Sequence, residues 1–330
     1  MKKDRITKKI SLFYLLLISV LFSFFCLSCA GMAASAEEYY SIGMAFYDLG
    51  KFEDAEKWLS RARQADRTYV ASQYNLGRIA FERKRFSDAA GLFEGILKKD
   101  PDNLLALRAA AYTRIKMGDI ERAQRHYSKL LELVPESADD GYNHALVLFA
   151  MNRFEESEET LNRFPFALSD NKDMQLLRAR SQGKQNKVEA IDSFAAWLSV
   201  NSDNKARYEY AHVLEHHEFY ARALEELRKA LEDAPAVSAD PAKNEIRFAI
   251  ARVLLIAETS NEGITEMQGA VNDGFNNIEA IEKLITSDKI SAANRNSLRD
   301  IADNMRRAVI AAEEEAESEE TQEEENTDEI

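Results

Sequence analysis

From Ala36 onward the apolar positions fall at helical spacing. Tyr39, Ile42, Gly43 and Phe46 share one face of a first segment, and Ala55, Leu59 and Ala62 share one face of the next. Between them Asp48-Leu49-Gly50-Lys51 is polar and carries a glycine, which predicts a tight turn and a helical hairpin. The hairpin then returns every 34 residues. Gly43, Gly77, Ala111 and Ala145 hold one column, Ala55, Ala89 and Ala123 another, Leu59, Phe93 and Tyr127 a third, and Phe52, Phe86 and Ile120 a fourth. Pro101 and Pro135 close two of the units. Small residues stand where the two helices approach closely and bulky ones where a neighbouring hairpin must be filled. One hairpin cannot bury both faces, so the pattern predicts a stack.

The period of 34 and this order of small and bulky columns resemble the tetratricopeptide repeat, and the likeness extends over about Ala36 to Gly274. The resemblance implies an all-α fold, an α-solenoid of about seven helical hairpins with a C-terminal capping helix. The units run Glu37 to Tyr69, Val70 to Asn103, Leu104 to Ser137, Ala138 to Asp170, Asn171 to Asp203 and Asn204 to Val237, followed by a weaker seventh using Ala251, Leu254, Gly263, Met267 and Ala270. The fourth unit has Ser157 for the usual alanine and a proline, Pro165, that ends its second helix early. Ala236 to Lys243 reads as an insertion. A short helix is expected within Asn276 to Asp288 and a capping helix from Ser291 to about Ala312, with Leu298, Ile301, Ala302, Met305 and Val309 on its packed face. The domain plan is therefore a leader at 1–36, a solenoid at 37–275, capping helices at 276–312 and a tail at 313–330.

Composition supports the helical reading: 45% of the 330 residues are apolar, and there are only five prolines and twelve glycines. The net charge of −14 argues against nucleic acid as a partner. The two ends carry that charge unevenly. Lys2, Lys3, Arg5, Lys8 and Lys9 precede an apolar run from Ile10 to about Leu27, the layout of a bacterial export signal. Three fates are open: cleavage after Ala36 at Ala34-Ser35-Ala36, lipidation at Cys29 after Leu27-Ser28, or retention as an anchor helix. In each the basic start stays cytoplasmic and the repeats face the periplasm, in a membrane-anchored or soluble form. Cys26 and Cys29 are the only cysteines, so the exported part has no disulfide, thiol nucleophile or cysteine metal ligand. At the other end, Glu313 to Ile330 holds eleven acidic residues and no basic one, and disorder is expected there.

In the family the first helix of each hairpin lines a concave face on which ligands bind. The resemblance therefore nominates Tyr40, Tyr74, Arg108 and Tyr142, with Tyr208 in the sixth unit, and one turn onward Arg78 and Tyr112, with His212 in the sixth. Tyrosine and arginine are common binding hot spots and would suit an extended peptide or an amphipathic helix. The alternative is that the tyrosines pack on neighbouring repeats. Of the clamp by which some relatives grip chaperone tails, Asn75 alone matches, so that specialisation is not expected.

One motif names a chemistry. His212-Val213-Leu214-Glu215-His216 spells H-x-x-E-H, in which two histidines one turn apart can share zinc beside a glutamate base, making His212 and His216 weak metal candidates. No third ligand is nominated, and the pentapeptide sits within a repeat, where solvated groove residues are expected. Pairs such as Glu155-Glu156 and Glu158-Glu159 read as a solvated helix face. There is no phosphate-binding glycine loop and no nucleophile elbow. The sequence points to no enzyme and no cofactor, but to an interaction scaffold tethered to the cell envelope, with envelope proteins as partners and the membrane held through the N-terminal lipid or anchor. An accessory ligand- or solute-handling component of a transport system is the alternative.

Overall fold

A computed structural model of the chain describes residues 35–234, 240–257 and 260–327, with the side chains of Ser260 and residues 315–327 left aside. Among the described residues there are seventeen helices and no strand. They fall into two compact units that divide after Leu133, next to the proline that closes the third repeat.

Unit 1 consists of three hairpins: α1 (Ala36–Asp48) with α2 (Phe52–Ala65), α3 (Val70–Glu82) with α4 (Phe86–Leu97), and α5 (Leu104–Lys116) with α6 (Ile120–Leu133). Ser35 caps α1 through a capping box with Glu38, satisfying two amides that the helix cannot. The turns share one mechanism. A residue with positive φ recurs every 34 positions at Gly50, Lys84 and Gly118, and in unit 2 at Asn152 and Asn186. The amide after it reaches back to a helical carbonyl, Lys51 to Phe46 at 2.9 Å and Arg85 to Ala80 at 2.8 Å, the 6→1 bond of a Schellman motif. The small columns act as the sequence predicts. A Cβ added at Gly43 would lie 2.7 Å from Leu59 Cγ, and one at Gly77 2.6 Å from the Phe93 ring. Behind these contacts Ala55, Leu59, Ile79, Ala89 and Phe93 are buried.

Unit 2 begins with α7 (Ala138–Ala150) and α8 (Phe154–Asn162). Helix α8 stops early, as expected, and the six-residue α9 (Pro165–Asp170) starts on Pro165. Ser157 in the alanine column is buried and donates to the Ala145 carbonyl at 2.9 Å, which satisfies its hydroxyl inside the hairpin. Three further hairpins follow: α10 (Lys172–Lys184) with α11 (Glu189–Leu198), α12 (Asn204–His216) with α13 (Tyr220–Glu232), and α14 (Lys243–Ile256) with α15 (Ser260–Asn272). The unit closes with α16 (Ile278–Thr286) and α17 (Ala292–Thr327).

One expectation about the C-terminus is corrected. Leu298, Ile301, Ala302 and Met305 are buried on α17, but Val309 is 49% exposed. The packed face therefore ends a turn sooner than the periodicity suggests. The α17 backbone continues to Thr327. Alanine and glutamate are strong helix formers, and their propensity extends the helix that packing starts. The export signal and the lipidation candidate Cys29 lie outside the described residues. Among the described residues no helix is long and apolar enough to cross a membrane.

Candidate functional site

The first-helix face of unit 1 carries a bonded network rather than a row of independent side chains. Asn75 on α3 is buried and donates to the Tyr40 hydroxyl at 3.1 Å and to the Ala71 carbonyl at 3.0 Å. Arg78, one turn on, donates to Asn75 Oδ1 at 3.0 Å and to the Tyr47 hydroxyl at 2.9 Å, with its guanidinium 4.6 Å from the Tyr47 ring centre. The rings of Tyr40 and Tyr69 meet edge to face at 5.3 Å. The network spans α1 and α3 and fixes Arg78 on a neutral, aromatic bed. Among the described residues no carboxylate pairs with Arg78, so its charge remains open to an acceptor from outside.

The other nominated residues of this unit differ in standing. Tyr112 on α5 is 47% exposed, with its ring 5.3 Å from Phe81 and the Lys116 ammonium 5.2 Å away. Tyr74 is half-buried and packs at 5.6 Å on Phe93, within the core of the second hairpin. Arg108 is half-buried on α5. Asn75, the one match to the chaperone clamp, is engaged on every side by its own unit. Tyr47 was missed because its own 34-residue column, with Phe81, Ile115 and Phe149, reads as apolar packing; its place two turns beyond Tyr40, on the same face of α1, was the available signal.

In unit 2, Tyr142 on α7 is half-buried, and burial, then the nearby Asp173 charge, pushes its hydroxyl pKa up. Tyr208 and His212 stand on α12 with their rings edge to face at 4.5 Å, and burial likewise raises the Tyr208 pKa. Arg252 on α14 donates to Glu215 Oε1 at 2.8 Å, to Glu215 Oε2 at 2.6 Å and to His212 Nδ1 at 2.7 Å. Burial pushes the Glu215 carboxyl up, but the adjacent His212 and the charge and bonds of Arg252 outweigh that and hold it below the ordinary value. Beside this network a cavity of about 270 Å³ is lined by Arg180, Lys184, Phe194, Glu209, His212 and Val213, with Arg180 and Glu209 paired at 2.7 Å.

This arrangement changes the reading of the H-x-x-E-H pentapeptide. Its glutamate is an ion-pair partner of Arg252 rather than a solvated groove residue, and Nδ1 of His212 faces a guanidinium. His216 is exposed and sits against the His217 ring at 5.1 Å. Among the described residues no group of three His, Cys, Asp or Glu side chains is placed to hold a metal ion. A second expectation is also corrected. Glu158 belongs to no solvated face: it is buried, accepting from Gln182 at 2.8 Å, Gln185 at 3.0 Å and Lys187 at 2.7 Å. Glu155, Glu156 and Glu159 are exposed, as expected.

The tetratricopeptide repeat family matches residues 40–103 and 114–181. Over 144 residues the chain is 24% identical to an uncharacterized lipoprotein of Treponema pallidum, covering 44% of this chain and 74% of that one. Over 116 residues it is 24% identical to the protein O-mannosyl-transferase Tmtc3 of Drosophila melanogaster, covering 35% of this chain but spanning only 12% of the fly protein's length. Among solved structures, a tetratricopeptide repeat protein from Parabacteroides merdae superposes with a TM-score of 0.52 at 19% identity, covering 76% of this chain and 96% of that one. The 34-residue columns, the recurrent turn and the two matched segments agree: residues 40–103 and 114–181 of the chain are tetratricopeptide repeats.

Proposed function

We propose that the chain is a non-catalytic interaction scaffold tethered to a bacterial envelope, and that the first-helix face of unit 1 binds an extended peptide or amphipathic helix from a partner protein. The repeat fold supports a protein partner in general terms. The observation that carries the finer reading is Arg78. It is a fixed cation bedded on Tyr47 and Asn75, without a carboxylate partner among the described residues, and the exposed Tyr112 ring lies on the same unit. A pre-set arginine loses little entropy on binding and offers a charge-assisted bond to an acidic or carbonyl-bearing segment, and an exposed aromatic on the same unit adds apolar contact. The lipoprotein relative and the basic-then-apolar N-terminus support the envelope location.

The test is affinity capture from detergent-solubilised envelopes of the source organism with full-length chain, against the double variant Arg78→Ala, Tyr112→Ala. Loss of a captured envelope protein, with thermal unfolding unchanged, supports the reading. Equal capture by both forms sinks it.

A further inference from the structure

On the second-helix side of unit 1 a cleft of about 500 Å³ opens between the first two hairpins. Its rim carries three cations: Arg63 near the end of α2, Arg67 in the loop before α3, and Lys99 just past α4. All three are exposed, and among the described residues none forms an ion pair. Lys99 Nζ donates only to the Arg67 carbonyl, at 3.1 Å. Ser60 and Gln64 add polar groups, and the floor is set by Gln73, whose amide is tied to the Leu92 carbonyl at 2.7 Å. That Gln73 position depends on Gly95, where a Cβ would lie 2.5 Å from Nε2. In a chain of net charge −14, three open cations around one polar cleft are a local reversal of sign.

The topology says where this cleft lies along the hairpins. In an antiparallel hairpin the end of α2 lies beside the start of α1, and the end of α4 beside the start of α3. Arg63, Arg67 and Lys99 therefore cluster at the end of the hairpins where the chain enters at Ser35. Under the tethered reading above, on which this inference rests, that end is the one nearest the membrane. The seven residue steps from Cys29 to Ala36 reach at most about 25 Å.

We propose that the cleft binds the phosphate of an anionic phospholipid headgroup. Two guanidinium forks and an ammonium match phosphate oxygens, with Ser60 and Gln64 as further donors. The carboxylates at the same end are turned to other partners and form no ion pair with these cations, although the Asp66 charge lies near enough to Lys99 to be stabilised by it. Glu38 accepts from the Ser35 amide at 2.7 Å, Asp66 from the Thr68 amide at 2.7 Å and hydroxyl at 2.6 Å, and Asp100 from Asn103 at 3.0 Å. Glu37 stands exposed in the first turn of α1. Headgroup capture would hold unit 1 in one orientation on the bilayer, where a tether alone leaves it free to swing.

The experiment titrates full-length protein, held in a neutral detergent, with monomeric dihexanoyl phosphatidylglycerol, and reads heat. Saturable binding is expected, with each of Arg63→Ala, Arg67→Ala and Lys99→Ala weakening it by about fivefold. Dihexanoyl phosphatidylcholine, whose choline neutralises the phosphate, is expected to bind far more weakly. Because these side chains are exposed, the variants should keep the parent's thermal unfolding, and Arg63→Glu provides a stronger second variant. Unchanged affinity in the variants, or equal affinity for both lipids, overturns the proposal. So does displacement by an equal concentration of inorganic phosphate, which marks a free-anion site, or tighter binding of a glutamate-rich peptide. The tether is read separately, by whether the protein stays with carbonate-washed membranes. Release there with the lipid isotherm intact removes the tethering reading and leaves the headgroup site standing.

Discussion

Arg252 meets Glu215 with two parallel bonds, Nε to Oε1 at 2.8 Å and Nη2 to Oε2 at 2.6 Å, joining α14 to α12 across successive hairpins of unit 2. Both side chains are mostly withdrawn from water, at 22% and 14% exposure. Removing one member of such a pair strands the other charge. Arg252→Ala should therefore cost about 2–3 kcal/mol, while Arg252→Met paired with Glu215→Leu should cost less than the single change. Denaturant unfolding of the three forms checks this. A single variant as stable as the parent would show that the pair contributes nothing.

The Gly77 and Phe93 contact makes a second case. A methyl at Gly77 would sit 2.6 Å from an aromatic ring that is 2% exposed and has nowhere to go. At Gly43 the corresponding neighbour is Leu59, itself fully buried and with its backbone nitrogen only 3.1 Å from the added methyl, so it has no more room to yield. Gly77→Ala and Gly43→Ala are each expected to destabilise by about 2–3 kcal/mol, read from thermal melts. A parent-like melt of either variant would mean that its buried neighbour yields after all.

These contacts also show how much was legible in the sequence. The fold was, because the repeat is dictated by local chemistry that returns in register: Gly43 against Leu59, Gly77 against Phe93, and a turn residue every 34 positions. The site was legible only in part. Column position placed Tyr40, Arg78, Tyr112 and His212 on first helices, but it could not say that Tyr74 would turn onto Phe93 or that Tyr47 would receive Arg78. Those outcomes depend on rotamers and on neighbours from another hairpin. Glu158 and Glu215 were misjudged for the same reason. A carboxylate in a polar run reads as solvated until Lys187 or Arg252 arrives from another helix. The capping face of α17 ended early because propensity carries a helix beyond the last packed turn.

Lys84 occupies a turn position where its counterparts are Gly50 and Gly118, with a φ of 59°. A Cβ in this left-handed region costs about 1–2 kcal/mol, part of which glycine returns as greater freedom in the unfolded chain. Lys84→Gly should therefore stabilise the protein by about 0.5–1 kcal/mol, seen as a higher urea midpoint at unchanged slope. Its side chain forms no ion pair among the described residues, so little is lost in exchange. A lower midpoint would show that the lysine stem contributes packing that outweighs the strain.

His144 on α7 gives the acid response a specific source. Burial, reinforced by the nearby Arg153 and Arg163 charges, pushes its pKa down from 6.5 to about 4. The folded state thus binds this proton more weakly than the unfolded state does. Stability from this group is complete above pH 6.5 and is lost as pH falls through that value toward 4, by up to about 3 kcal/mol. Glu215, whose pKa is lowered from 4.5, acts in the same direction but at lower pH. Unfolding free energies measured between pH 7 and pH 4 should therefore fall steadily in the parent. His144→Gln should fall less over the same range, whatever its stability at pH 7. Parallel curves for the two forms would remove His144 as the source and leave His126, whose pKa burial also lowers, and the carboxylates to account for acid sensitivity.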